Sequence, residues 1–407
     1  MPEAEDQDFN PFANFDALAG DTRDPYPTFA HYREHQPVVR GPIIDESNVP
    51  EEFLPDEEWS VFLYEDVSRV FRETKTFNSA GYNDTMGLVF GPTILGMDGT
   101  RHRAHRNLVA NAFKERSLQR WEPEFIAPVC HRLIDAIADE GQADLVRALT
   151  FEFPTQVIAK ILGLPPEDLD TFRRLSIQLI GIAGDIEHGL QASAALQEYF
   201  QEIIEERRSR PADDVISDLV VAEVDGEKLS DEGIYSFLRL LLPAGIETTY
   251  RSSGNLLFLL LTHPEQLGAV RRDRSLIPQA IEEGLRFETP LTGVARYATD
   301  DVEFGGHLIH KGATVSPVIG SANHDERRWD NAESFDILRK PIPHIAFAAG
   351  PHMCLGMHLA RLETRVMLNV LLDRLVDVTL DPGDRDPHIR GMVFRSPTCL
   401  PVTFEAA

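Results

Sequence analysis

Phe347-Ala-Ala-Gly350-Pro-His352-Met-Cys354-Leu-Gly356 runs directly into Met357-His-Leu359-Ala-Arg361-Leu362-Glu363. An irregular Gly/Pro segment thus delivers one cysteine to the start of a helix. Leu355, Leu359, Leu362, Val366 and Val370 mark that helix by recurring every three to four positions. The free N–H groups and partial positive charge of a helix N-terminus favour thiolate over thiol. Gly350 and Gly356 remove bulk on either side of the sulfur, so something flat and large has a way to approach it. On these residues alone Cys354 could be a buried structural cysteine, or a zinc ligand with His352 and His358. Zinc is poorly supported, because only three ligands lie nearby and no CxxC pair accompanies them.

Taken whole, Phe-x-x-Gly-x-His-x-Cys-x-Gly ahead of an Ala-Arg helix resembles the haem-binding signature of the cytochromes P450. The resemblance implies haem b as cofactor, with the Cys354 thiolate as axial ligand of its iron and Gly356 beside it at the ring. It also implies a mainly α fold with a small, partly antiparallel β region. No repeats, low-complexity tracts or linkers interrupt the chain, which favours one domain over residues 1–407. Residues 1–20 are expected to lie loosely on its surface.

Upstream, one long helix is legible from Asp231 to Thr262, with Ser230 or Asp231 as N-cap and His263-Pro264 as its stop. At 1.5 Å per residue it would span roughly 45–50 Å. Midway, Pro243-Ala244-Gly245-Ile246-Glu247-Thr248-Thr249 weakens the hydrogen-bond ladder and predicts a kink or local opening. Pro and Gly together cost on the order of 4 kcal/mol in helix propensity. Thr248 and Thr249 could simply bond back to earlier carbonyls and bend the helix. The motif also resembles the P450 oxygen-binding groove. That likeness makes Thr248 and Glu247 the proton-relaying pair, with Ala244 and Gly245 leaving room over the haem. Glu stands where many bacterial relatives carry Asp. The retained acid–alcohol pair implies O2 and two electrons as co-substrates.

Asp98-Gly99-Thr-Arg101-His102-Arg103-Ala-His105-Arg106 places His102 and Arg106 four residues apart, on one face of a helix, where they can grip one anion. A solvated basic face would look the same. The segment resembles the P450 helix that binds haem propionates. Arg296 and His352 match the other members of that clamp. Arg101, Arg103, Lys114 and Arg116 complete a basic island in a very acidic chain. By resemblance it is the docking face for an acidic ferredoxin, which an electropositive patch would steer.

Glu283-Gly-Leu-Arg286 sets an acid and an arginine one turn apart on a helix expected over Pro278–Phe287. In context this matches the Glu-x-x-Arg element of P450s, and Arg339 matches the arginine that joins it. All three are expected to be structural, holding the cysteine loop. Between Asn78 and Gly96 the pattern dissolves into glycines and apolar residues, and such a long loop is usually functional. The resemblance makes it the pocket roof. Met86, Leu88, Val89 and Phe90 would then face substrate, together with Ile180, Ile182 and Ile186 from a lid between two helices, and Leu291, Val294 and Phe394. This lining is overwhelmingly apolar and suits a small to medium apolar substrate such as a terpenoid, steroid, fatty acid or aromatic.

Composition narrows the alternatives. The formal net charge of −27 would repel phosphates, so no nucleic-acid partner is expected. The first residues lack a basic and apolar leader, and no apolar run is long enough for a membrane span. Three scattered cysteines build no disulfide framework. A cytoplasmic, monomeric monooxygenase served by a ferredoxin is expected. The rivals are a haem-thiolate binding or sensing protein without turnover, which would not need the acid–alcohol pair, and, more remotely, a cysteine hydrolase.

Overall fold

In the computed structural model, which describes residues 20–43, 54–180, 186–224, 226–381, 383 and 385–407, helices dominate. Those that build the site are, in chain order, α1 (Tyr26–His35), α2 (Tyr64–Arg72), α3 (Gly87–Phe90), α4 (Gly99–Ala110), α5 (Glu152–Ile161), α6 (Ile186–Ser209), α7 (Asp231–Leu242), α8 (Thr248–Thr262), α9 (Ile277–Phe287) and α10 (Met357–Arg374).

Helices α7 and α8 form the expected long rod. The Ser230 hydroxyl accepts the Gly233 N–H at 3.1 Å and caps its start. His263 leaves helical geometry at φ −124°, ψ 72°, immediately before Pro264. Between the two helices Pro243–Glu247 forms a π turn. The anticipated kink is thus a local widening, which absorbs a proline that cannot continue an ordinary ladder. On α7 every residue from Ile234 to Leu242 is buried. Such all-round burial marks a helix threaded through the core, and each buried leucine contributes about 1.5–3 kcal/mol.

Five short strands form one mixed sheet: β1 (Val38–Arg40), β2 (Glu58–Val61), β3 (Phe77–Asn78), β4 (Arg296–Ala298) and β5 (Thr314–Pro317). Their spatial order is β1-β2-β5-β4-β3. Only the β2–β5 pairing is parallel. Val315 lies opposite Arg296 in the register, which fixes Arg296 at the start of β4. The strand-like sequence runs Pro37 to Arg40 and Trp59 to Tyr64 form β1 and β2, although Tyr64 already begins α2. Of the acidic insert between them, residues 44–53 lie outside the described residues. Val302–Phe304 and His307–Ile309 pair as a hairpin turned by Gly305-Gly306, with positive φ at both glycines. A further hairpin pairs Ile389–Arg390 with Ser396–Pro397 and carries the loop from Gly391 to Phe394.

Candidate active site

The cysteine loop is folded by its own backbone and by the helix beneath it. The Cys354 N–H donates to Phe347 O at 2.9 Å and the Met353 N–H to Gly350 O at 3.1 Å. Gly350 has φ +72°, and a Cβ there would lie 2.5 Å from the Phe71 carbonyl of α2. Only glycine fits that position. At Gly356 the direction a Cβ would take is open space. Arg106 of α4 crosses over and donates to Met353 O at 2.6 Å.

Helix α10 begins at Met357, capped by Gly356, so Cys354 stands just ahead of it. Protein atoms crowded around the sulfur raise the thiol above its ordinary value, although the side chain keeps one exposed face. Backbone N–H groups of Gly356 and Met357 and the charges of Arg106 and Arg361 oppose that rise without cancelling it. The helix-start effect therefore has the expected sign but loses to desolvation. Even so, the Cys354 side chain is exposed. His358 is also exposed, and among the described residues no three His, Cys, Asp or Glu side chains converge to hold an ion.

Around this loop lies a concentration of basic groups. His102 is 3% exposed and stacks on His352, their ring centroids 4.0 Å apart. His352 Nε2 lies 3.4 Å from both Ser79 Oγ and Asp98 Oδ1. Arg296 is buried, donates to Ala295 O at 2.7 Å and rests over the Phe71 ring. His102 Nε2 and Arg296 Nε are buried with no hydrogen-bond partner. Each such orphan costs about 1–3 kcal/mol. Burial, followed by the charges of His352, Arg106 and Arg296, pushes His102 down to about 4, while Asp98 opposes. His102 and His352 face one carboxylate, Asp98, while Arg106 and Arg296 lie close to His102. A group bringing two more carboxylates to this place fits the imbalance, and haem b carries two propionates.

The long helix supplies the second half of the site. Ala244 is exposed although Leu241, Leu242, Ile246 and Glu247 around it are buried, so the rod borders a cleft there. The half-buried Thr248 donates its hydroxyl to Ala244 O at 2.9 Å, the back-bond allowed from its sequence. Gly245 and Glu247 make further contacts. Gly245 does not simply keep space over the cleft, because a Cβ there would meet Ile158 Cδ1 of α5 at 2.7 Å. Its small size serves helix packing. Glu247 does not turn toward Thr248 but accepts from Arg251 Nη2 at 3.0 Å and Nε at 3.3 Å. Arg251 in turn donates to Ser396 Oγ at 2.9 Å. Burial raises the Glu247 carboxyl, and Arg251 opposes that rise.

The expected pocket residues divide. Met86, Leu291, Val294 and Phe394 are half-buried, and Leu291 pairs with Phe394 in an isolated bridge. Val89 and Phe90 pack into the main core, whereas Leu88 is 62% exposed. Ile182 lies outside the described residues, and the lid falls there too. Of Ile180 and Ile186 only the backbone is described.

The Glu283 network is formed. Glu283 accepts two bonds from Arg286 at 2.8 Å and one from Arg339 at 3.2 Å. Arg286 also donates to Asn323 O, and Asn323 Oδ1 accepts the Ile345 N–H two residues before Phe347. The support therefore reaches the cysteine loop through Asn323. Sequence reasoning missed Ser79, Asp98 and Phe71, which position His352 and Arg296. Nothing local in the sequence marks them.

Comparison with known proteins identifies the family. A family model described as Cytochrome P450 matches residues 170–398. The cytochrome P450 monooxygenase PikC of Streptomyces venezuelae is 33% identical over 398 residues, covering 94% of this chain and 93% of its own. A steroid C26-monooxygenase of Mycobacterium tuberculosis is 36% identical over 350 residues, covering 84% and 87%. A P450 crystal structure from Bacillus megaterium, in complex with testosterone, superposes with a TM-score of 0.83 at 32% identity, over 93% of this chain and 99% of that one. The chain belongs to the cytochrome P450 family and has its fold, its haem b chemistry and its oxidoreductase activity.

Proposed function

We propose that this monooxygenase acts on a small to medium apolar substrate, of terpenoid, steroid, fatty-acid or aromatic type, with electrons from an acidic ferredoxin. The observation that carries the site assignment is the basic cluster with its two unpartnered buried nitrogens beside an exposed cysteine. Cys354 would hold the haem iron, and His102, Arg106, Arg296 and His352 would hold the propionates. Bound haem b supplies oxygen activation, one atom passing to the substrate and the other leaving as water.

The chain's own residues orient and protonate. Thr248 holds its hydroxyl at the cleft border, fixed by the Ala244 carbonyl across the π turn. Glu247 keeps a proton more readily than an open carboxylate because it is buried, while Arg251 limits that tendency. Such balance suits a group that must both give and recover a proton. For hydroxyl and carboxyl to act together, Glu247 must leave Arg251 or work through water.

The apolar cleft residues, the related steroid C26-monooxygenase and the related structure bound to testosterone support an apolar substrate of this kind. Arg101, Arg103, Lys114 and Arg116 are all exposed, which supports their use as a docking face. The test is spectroscopic. Purified protein should bind haem and give the thiolate-type spectrum of the reduced CO complex, and Cys354→Ser should abolish it. A normal spectrum in that variant would refute the ligand assignment. Testosterone, a monoterpene and palmitate, titrated separately, should shift the haem spin state if the cleft takes apolar compounds; no shift with any of them would count against this substrate class.

A further inference from the structure

Arg239 is out of place on α7. It is 6% exposed in a run of buried apolar residues that includes Phe237, Leu238 and Leu240. A buried guanidinium is tolerated only if its donors find acceptors. Here Nη2 donates to Glu232 Oε1 at 2.9 Å and Nη1 donates to Ser193 Oγ at 3.0 Å. Ser193, on α6, passes the interaction on. Its hydroxyl donates to the Val89 carbonyl at 2.5 Å. A hydroxyl that receives from a cation is a stronger donor in its turn. Val89 sits in the four-residue α3, too short to satisfy that carbonyl itself.

The next residues fit the same contact. Gly91 has φ +78°, and a Cβ there would lie 2.5 Å from Ser236 Oγ, 2.7 Å from Glu232 Oε1 and 3.1 Å from Arg239 Nη2. Only a glycine lets the end of α3 settle onto α7. The start and finish of the roof loop are tied by three other bonds, one of them from the Ser79 N–H to Asp98 Oδ2 at 2.9 Å. Tyr82 Oη accepts the Ala295 N–H at 3.0 Å, and Asn83 donates to Gly96 O at 2.8 Å. Both ends of the loop are therefore anchored, while its middle, α3, hangs on an arginine whose carboxylate partner, Glu232, is 48% exposed to water. Water can replace that partner, so α3 is the part built to release.

We infer that Arg239, acting through Ser193, is a positioning residue that latches α3 shut over the substrate cleft and sets the rate of substrate entry and exit. The latch rests on the reading, implied by the family resemblance, that residues 78–96 roof the cleft. Because it acts on opening, it changes association and dissociation together and leaves the equilibrium nearly unmoved.

The test uses the haem-loaded protein with Ser193→Ala, Arg239→Met and the conservative Arg239→Lys. Amide hydrogen exchange at Val89, Phe90 and Gly91, whose N–H groups bond Met86 and Gly87 carbonyls, reads the opening directly. Exchange there should rise about tenfold in Ser193→Ala and Arg239→Met, with Arg239→Lys between them and the parent. Binding of 4-phenylimidazole, followed by absorbance, should show on- and off-rates rising together, while the smaller imidazole changes little. A merely structural role for Arg239 would lower the melting temperature without altering the azole rates. Unchanged exchange in both Ser193→Ala and Arg239→Met would overturn the latch. Faster exchange with unchanged 4-phenylimidazole rates would leave the clamp in place but sink the claim that this loop roofs the cleft. Arg239→Met failing to fold would leave Ser193→Ala to decide, since that change removes one hydroxyl only.

Discussion

Two residues beside the cysteine loop carry consequences that can be measured separately. Gly350→Ala asks an L-residue to adopt φ +72° and drives a Cβ into the Phe71 carbonyl. It should cost about 1–3 kcal/mol, seen as a lower melting temperature and slower haem uptake. His102 predicts a pH dependence of the haem-free protein. The unfolded chain takes up this proton near pH 6.5, the folded chain only near 4. Between those values the unfolded state binds more protons, so stability falls as pH falls across the window and is recovered above it. Denaturant unfolding of the haem-free protein at a series of pH values should show this slope. His102→Asn should flatten it. Propionates seated against His102 would favour the charged ring and weaken the slope in the loaded protein.

At the scale of the element, Gly245 shows how one residue type can be right for a different reason. From sequence it is a spacer over a cofactor, yet its missing Cβ accommodates Ile158 of α5. Gly245→Ala should therefore destabilise by about 1–3 kcal/mol through overpacking. Ile158→Val in the same chain should recover part of the loss, a coupling that a double-mutant cycle would detect. Loss of haem binding with unchanged stability would point instead to the cofactor side. Much of this element was legible beforehand, because Ser230, Pro243 and Pro264 act on their immediate neighbours. The cysteine loop was legible for the same reason. What stayed hidden depends on distant partners: Ser193 meets Val89 across 104 positions, and Arg251 meets Ser396 across 145. Glu247 and Arg251 are the exception. Their spacing of four on a helix was open to reading as an ion pair.

For the molecule as a whole, charge distribution is the property most open to test. A net charge of −27 repels an acidic partner except where positive charge gathers. If the exposed Arg101, Arg103, Lys114 and Arg116 form that place, ferredoxin-supported turnover should fall steeply with added salt. Arg103→Glu should cut the apparent partner affinity about tenfold or more at low salt, with substrate binding untouched. An unchanged rate would remove this face from the reaction.

The mixed sheet bears on how the chain is made in a cell. Strand β2 lies between β1 and β5, and β5 is encoded far downstream. Nearby, the Tyr64 N–H finds its acceptor in Asp325, 261 positions later. At 5–20 residues per second, a ribosome needs about 13–50 s to cover such a distance. During that interval the hairpin of β1 and β2 leaves the ribosome with an apolar edge, Trp59 and Val61 included, that has nothing to pair with. Such an edge invites association with other nascent chains. Production of this protein should thus be limited by chaperone supply before it is limited by haem, since Arg296 and Cys354 are themselves synthesised late.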